Sequence, residues 1–327
     1  MTGAMGFLGD NILRYLLDSG ENIDITALVR RDDFSWKDRV RSVTSDLEDI
    51  SPDVISGQRY DVAIHLAALM ADKDDIPRSE FYRINVEGTK RLITAMRKSG
   101  LRQFIHISTV GVYGSTGTNP VEEEGKYGKK LSNYEWSKME AEKVAIACCK
   151  EIGVPLTILR IGLMYGEGMS YGWPSTIRSI QKKEMRIIGE GNALIQLSYI
   201  RDIVEGIALT IGNKLAYDSI FNLCGEQVCS LSKVFSIIAH ILDVPVPQKV
   251  PFLPVYALSQ VLSYVPESFK GDKLKLLTPH RVVFFRENHV YNIEKARNTL
   301  GFCPKYSVVE GMENTIKDYM MNYNKNK

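Results

Sequence analysis

The sequence contains no C-x-x-C pair, and its cysteines are few and odd in number: Cys148, Cys149, Cys224, Cys229 and Cys303. A disulfide framework and a zinc ribbon are thereby excluded as organising devices, which leaves reduced thiols of a cytosolic enzyme. Net charge is nearly absent, 41 Lys and Arg standing against 39 Asp and Glu for a balance of +2. No basic run or interleaved aromatic pattern offers a nucleic-acid surface. Long hydrophobic runs are lacking as well. The most apolar stretch, Val250–Val265, contains Pro251, Pro254, Ser259, Gln260 and Ser263 and is too short and polar to span a membrane. With no secretory leader pattern, a cytoplasmic location is expected. No internal repeat or low-complexity linker divides the chain. What remains is ordinary in amount: 327 residues, 44% hydrophobic and 24% charged, room for one large α/β domain with a smaller appendage.

The first informative stretch is Thr2-Gly3-Ala4-Met5-Gly6-Phe7-Leu8-Gly9-Asp10, with glycines at spacing three, followed by a helical period up to Gly20. A glycine-rich turn that opens a helix suits a dinucleotide phosphate. Glycines allow close backbone approach, and the helix N-terminus offers free N–H groups and a positive dipole end. Gly3, Gly6 and Gly9, with Phe7 and Leu8 between them, are the candidates to cradle a pyrophosphate. Such a turn should follow a β-strand, yet the chain begins at the turn itself. The first strand is therefore expected to be missing and the sequence to be truncated at its N-terminus.

Strands then alternate with helices. Ile23–Val29 reads as a strand ending at Arg30, where an acid would suit the ribose of NAD and an arginine a 2′-phosphate. Arg30 favours NADP over NAD, although Asp32 and Asp33 follow closely. Arg41–Leu47 reads as a short strand ending in Asp46-Leu47, and Tyr60–Ala68 as one ending in the small residues after Leu66, Ala67 and Ala68. Glu80–Met96 is helical and carries Asn85. Phe104–Thr109 is near-continuously apolar, as parallel strands are, with His106 read as a packing histidine. Leu156–Gly162 is another buried strand, Met164–Gly168 a turn, and Ser219–Leu223 a short strand. This alternation predicts a parallel sheet with helical crossovers.

Tyr134-Glu135-Trp136-Ser137-Lys138 leads into a run of good helix formers. Residues i and i+4 share a helix face, which would bring the Lys138 ammonium near the Tyr134 phenol. A nearby cation lowers a phenol pKa, so Tyr134 is expected to be a general acid or base poised near neutral pH.

In order, the chain shows the Thr-Gly-x-x-Gly-x-x-Gly turn, Asn85-Val86-Glu87-Gly88-Thr89, a strand ending in Ser108-Thr109, and Tyr134-x-x-x-Lys138. This resembles the extended short-chain dehydrogenase/reductase family over nearly the whole chain. Arg160–Gly166 is similar to its Arg-Pro-x-x-x-Tyr-Gly segment, with Ile161 where proline is usual. The resemblance implies an α/β, Rossmann-type doubly wound parallel sheet with a smaller C-terminal mixed α/β substrate region. It implies a dinucleotide-binding domain at 1–168, with a return segment near 195–225, and a substrate region at 169–327. Tyr134 would be the acid/base, Lys138 would hold the nicotinamide ribose, and Thr109 would hydrogen-bond the reacting oxygen. Asp46 and Leu47 would flank the adenine. Leu66, Ala67, Ala68 and Ile161 would line the cofactor, and Asn85 would support the local backbone or a water. Relatives suggest a homodimer.

Within the family, Val110-Gly111 stand where sugar dehydratases carry Asp-Glu, and Ile195–Tyr199 lacks the arginine common in sugar epimerases. The apolar Val255–Val265 segment resembles instead the 3β-hydroxysteroid dehydrogenase and dihydroflavonol reductase branch, unless it is an ordinary buried helix. The expectation is an NAD(P)-dependent reductase or dehydrogenase of a small hydrophobic substrate. The alternatives are a nucleotide-sugar epimerase with retained NAD, or a catalytically silent NAD(P)-binding protein.

Overall fold

The computed structural model describes residues 1–20, 22–55, 58–70, 76–265 and 277–325. Its first part runs α1 (Phe7–Asp18), β1 (Thr26–Val29), β2 (Arg41–Thr44), α2 (Pro52–Ile55), β3 (Val62–His65), α3 (Arg78–Phe81), α4 (Gly88–Ala95), β4 (Gln103–Thr109), α5 (Asn133–Ile152) and β5 (Leu156–Ile161). It continues with β6 (Leu163–Tyr165), α6 (Trp173–Gln181), β7 (Arg186–Ile188), β8 (Leu194–Tyr199), α7 (Ile200–Ala208), β9 (Ser219–Leu223), β10 (Val228–Ser230), α8 (Leu231–Ile241), β11 (Gln248–Val250) and α9 (Phe252–Ser263). Helices over Pro279–Phe284, Glu294–Leu300 and Val308–Lys325 close the chain.

The main sheet is parallel in the order β3-β4-β5-β9. Its two middle strands are buried along almost their whole length, mostly through apolar residues on both faces, with Gln103, His106, Ser108 and Arg160 among the buried polar members. β1 and β2 pair in parallel beside it. Met1 and Thr2 stand between β1 and β3. Leu28 N donates to Met1 O at 2.8 Å and Thr2 N donates to Ile64 O at 3.0 Å. Thr2 thus bridges Leu28 and His65. A cavity of about 50 Å³ lined by Leu28, Val43, Ile64 and Leu92 lies alongside.

α1 forms where the apolar residues Leu8, Ile12, Leu13 and Leu16 recur at helical spacing, and that buried stripe is the face it turns inward. Residues 78–95 are continuously helical, with wide π-type turns over Tyr82–Glu87 that bury Asn85. α5 starts at a capping box: Glu135 N donates to Ser132 Oγ, and Ser132 N donates to the Glu135 carboxylate. Such a cap contributes roughly 0.5–2 kcal/mol and fixes where the helix begins, one residue before Tyr134.

β6, β8 and β10 form a second, mixed sheet, and β7 pairs with β11. Two expectations are corrected here. The segment read as a turn after Gly162 contains β6, because Leu163–Tyr165 pairs with Leu197–Tyr199. The apolar helix is no ordinary buried helix. In α9 only Ser259 is buried, while Leu253 and Val261 are 73% and 64% exposed. Its apolar residues surround the helix instead of forming one stripe, so no single face can bury them all. Among the described residues no helix is long and apolar enough to cross a membrane.

Candidate active site

The C-terminal ends of the parallel strands gather most of the residues singled out from sequence. Gly3 has φ +68°, and a Cβ there would lie 2.7 Å from Ala67 N. A Cβ on Gly9 would lie 2.1 Å from Gly3 O. Both positions therefore require glycine, because the turn is folded onto the end of β3 and onto itself. Gly6 is the N-cap of α1 and makes no side-chain cap, so the first-turn N–H groups of Phe7 and Leu8 have no intrahelical acceptor. Leu66, Ala67 and Ala68 follow β3, and Ala67 N donates to Thr2 Oγ1 at 3.1 Å.

Thr109 ends β4 directly opposite Ile161 of β5. Its Oγ1 accepts from Gly111 N at 3.1 Å, which leaves the hydroxyl proton available to donate. Asn85 holds local backbone: Oδ1 accepts from Leu69 N at 2.6 Å and Nδ2 donates to Leu69 O at 3.1 Å. Leu47 is buried against Gly88, and Asp46 Oδ1 accepts from Glu48 N. Arg30 is exposed just past β1. Beside it Arg31 pairs with Asp33 at 3.5 Å, and Asp32 accepts from Thr44 Oγ1 at 3.3 Å.

Tyr134 and Lys138 lie on the first two turns of α5. Lys138 is buried, and its Nζ donates to Ile107 O at 2.6 Å. Burial lowers its pKa to about 8, with the Glu142 carboxylate pulling the other way. The expected depression of the Tyr134 pKa is corrected. Burial pushes it above the ordinary phenol value, and the neighbouring Tyr171 and Glu135 add to the rise. Lys138 directs one proton to the strand carbonyl of Ile107. Tyr171, whose Oη donates to Met70 Sδ at 3.8 Å, was not foreseen, since it comes from a loop far along the chain.

Sequence reading also missed the buried support of this edge. Arg160 on β5 forms a two-pronged ion pair with Glu142 on α5, Nε to Oε1 at 3.0 Å and Nη2 to Oε2 at 2.7 Å. Its Nη1 donates to Tyr113 Oη and to Glu123 O. Glu142 accepts further from Tyr127 Oη and Ser108 Oγ, and Tyr113 Oη donates to Asn222 Oδ1 on β9. Both ions are buried and every polar arm has a partner, which is the condition for such a pair to be tolerated. The only sequence signal was a charge inside an otherwise apolar strand. Next to it His106 is fully buried with neither ring nitrogen hydrogen-bonded.

A separate cleft of about 720 Å³ opens in the C-terminal half. It is lined by Gly189–Ala193, Lys249, Phe252, Arg286 and Asn288. The Arg286 guanidinium lies 4.6 Å over the Phe252 ring, and Lys249 pairs with Glu190 at 2.9 Å. Asn288 O accepts from Thr116 N at 2.7 Å, which ties this wall to the loop after Thr109.

A parallel-stranded fold with a glycine turn, a Thr at a strand end and a helix carrying a half-buried Tyr134 and a buried Lys138 defines a nicotinamide-dinucleotide-binding class. The family model described as NAD dependent epimerase/dehydratase family matches residues 1–224, and the chain belongs to that family. The UDP-glucose 4-epimerase of Vibrio cholerae is 25% identical over 332 residues, covering 99% of this chain and 96% of that one. The 3β-hydroxysteroid-dehydrogenase/decarboxylase isoform 1 of Arabidopsis thaliana is 26% identical over 297 residues, covering 86% of this chain and 67% of that one. Among solved structures, the UDP-glucuronic acid 4-epimerase from Bacillus cereus in complex with UDP-glucuronic acid and NAD superposes with a TM-score of 0.78. It is 20% identical and each chain is 98% covered, a likeness of fold.

Proposed function

We propose that this protein is an NAD-dependent enzyme acting on a nucleotide-linked sugar, by epimerisation at a ring hydroxyl. The observation that carries the reading is the placement of Thr109, Tyr134 and Lys138 at the C-terminal edge of the parallel sheet of a chain that belongs to the NAD dependent epimerase/dehydratase family. The separate cleft adds one side-chain cation that is unneutralised among the described residues, Arg286 over the Phe252 ring, while Lys249 is paired with Glu190; a cation there suits a phosphate-bearing substrate better than a small hydrophobic ketone. Sequence alone favoured such a ketone. That preference rested on Val110-Gly111, on the missing arginine in Ile195–Tyr199 and on the resemblance of the apolar Val255–Val265 helix, and α9 is largely exposed. The cleft's Arg286 supplies a cation that Gln196, buried and bonded to Gly225 O, does not.

The residues present fit a dinucleotide. The uncapped start of α1 offers N–H groups to a pyrophosphate, and Lys138 keeps two ammonium protons for ribose hydroxyls after bonding Ile107 O. Asp46 and Leu47 stand after β2, and Leu66–Ala68 and Ile161 at neighbouring strand ends. We assign NAD over NADP because Asp32, close after β1, offers an acceptor for ribose hydroxyls and the similar UDP-glucuronic acid 4-epimerase structure contains NAD; Arg30 and Asp32 are both exposed. Residues 1–168 with the return near 195–225 would hold the dinucleotide, and 169–327 would hold most of the substrate.

A nicotinamide dinucleotide held by these residues would supply the hydride acceptor and donor for the sugar carbon. Tyr134 takes the hydroxyl proton as the ketone forms and gives it back as the hydride returns. Thr109 donates its free hydroxyl proton to the same oxygen throughout. The raised Tyr134 pKa means the phenolate needs positive charge close by, and Lys138, four residues on along α5, is the proposed source.

The test is Tyr134→Phe, assayed against UDP-sugars with NAD. Turnover should fall by about 10²–10⁴-fold while NAD binding stays within about threefold. Near wild-type turnover would remove Tyr134 from this role. Consumption of NAD in step with product would restore the dehydrogenase reading. NAD binding with no turnover across the panel would favour a silent binding protein.

A further inference from the structure

A directed line of hydrogen bonds runs under the site from the glycine turn to the start of α5. Ala67 N donates to Thr2 Oγ1 at 3.1 Å, and Thr2 Oγ1 lies 2.8 Å from His65 Nδ1. His65 Nε2 lies 2.9 Å from Thr89 Oγ1, which donates to Asn85 O at 2.6 Å. The Asn85 side chain then donates to Ser137 Oγ at 2.8 Å, and Ser137 Oγ donates to Tyr134 O at 2.7 Å. Thr2, His65, Thr89, Asn85 and Ser137 are each at most 4% exposed.

The proton on each link is fixed by its neighbours. Thr89 gives its hydroxyl proton to Asn85 O, so it can only accept from the ring, and Nε2 must carry the hydrogen. Nδ1 is then an acceptor, and Thr2 must donate to it. Thr2 Oγ1 in turn accepts from Ala67 N. A second ring proton would leave the Thr2 hydroxyl with no acceptor in this line. Burial keeps that proton away, lowering the His65 pKa to about 3, and the Lys138 charge adds to the effect. One tautomer therefore persists at any working pH.

We propose that His65 is a positioning residue, which through Thr2 and Thr89 locks the glycine turn to the helices carrying Asn85 and Tyr134. The proposal rests on the reading of Tyr134 as the acid/base and of the turn as the dinucleotide seat. Its consequence is that the turn and the phenol are held in one register. A disturbance at Thr2 reaches Tyr134, although the line joins them through intervening residues only.

The experiment is a double-mutant cycle with Thr2→Val and Ser137→Ala, reading NAD affinity and kcat separately. Sites without shared partners combine additively. The proposal expects Thr2→Val to weaken NAD about tenfold and also to lower kcat. Ser137→Ala should lower kcat with NAD affinity little changed. The double variant should lose clearly less kcat than the product of the two single losses. Thr2→Ser keeps the hydroxyl and should restore both quantities. Multiplicative losses, or a Thr2→Val effect confined to NAD affinity, would overturn the proposal. A second readout needs no activity. ¹⁵N NMR of histidine-labelled protein, with the His65 signal assigned by its loss in His65→Asn, should show the Nε2–H tautomer. An Nδ1–H signal overturns the line even if the enzyme turns over. A wild-type protein that binds no NAD defeats the functional reading instead, and leaves the tautomer to decide whether the line exists.

Discussion

The edge of the main sheet and the cleft beside α9 are built on opposite plans. At the sheet edge polar groups are buried and almost all are paired, from Thr2 through Ser137 and from Ser108 to Asn222. Around α9 the apolar groups are exposed instead, with Tyr264 87% open to solvent, and the cleft walls are loops and helix ends. Chemistry that moves a proton and a hydride needs atoms held within fractions of an ångström, and buried directional bonds supply that. A surface that receives a large substrate can be looser, because its contacts form when the substrate arrives.

Four substitutions or conditions would break or sharpen this contrast. The largest effect on stability should come from Glu142→Ala, which leaves Arg160 charged, buried and uncompensated. Urea unfolding should show a loss of roughly 3–5 kcal/mol. A loss below about 1 kcal/mol would mean the sheet edge is no stiffer than the surface. Acid comes next. His65 and His106 are held neutral by burial, their pKa values well below the ordinary 6.5. As pH falls below about 6.5 the unfolded chain gains protons that the folded chain refuses, so stability is full above that pH. It should decline by a few kcal/mol toward pH 3, where His65 itself begins to protonate. Unfolding free energies that stay flat between pH 6.5 and 4 would contradict the buried neutral rings.

At the cleft, Arg286→Ala should raise KM for a UDP-sugar about tenfold, roughly 1.4 kcal/mol, with kcat nearly unchanged, because the cation binds ground state and transition state alike. A fall in kcat with constant KM would place Arg286 in the chemistry. The smallest change is expected for Val261→Ser on exposed α9: within about 0.5 kcal/mol of wild type in Tm-derived stability. A larger loss would show that this face is covered.

Much of the fold was legible because parallel strands announce themselves. Phe104–Thr109 and Leu156–Ile161 are apolar runs of strand length, and the glycine turn with the Tyr134–Lys138 pair marks a dinucleotide edge. The substrate end was less legible. Val255–Val265 has the composition of a buried helix, and only packing shows that it is exposed. The sign of the Tyr134 pKa shift was misread for a similar reason. Spacing on a helix places Lys138 near the phenol, but it does not show that a carbonyl of β4 takes the ammonium or that burial dominates.

The sequence by itself determined the local pieces: where helices start, which strands are buried, and which residue types could bind a dinucleotide and move a proton. Period, capping and glycine placement act over a few residues and need no distant partner. Only the tertiary structure decided the pairings over long separations: Thr2 with His65, Ser108 and Arg160 with Glu142, and Arg286 with the Phe252 ring. Such pairings depend on which elements pack together, and burial then sets the electrostatics that fix each proton and each pKa.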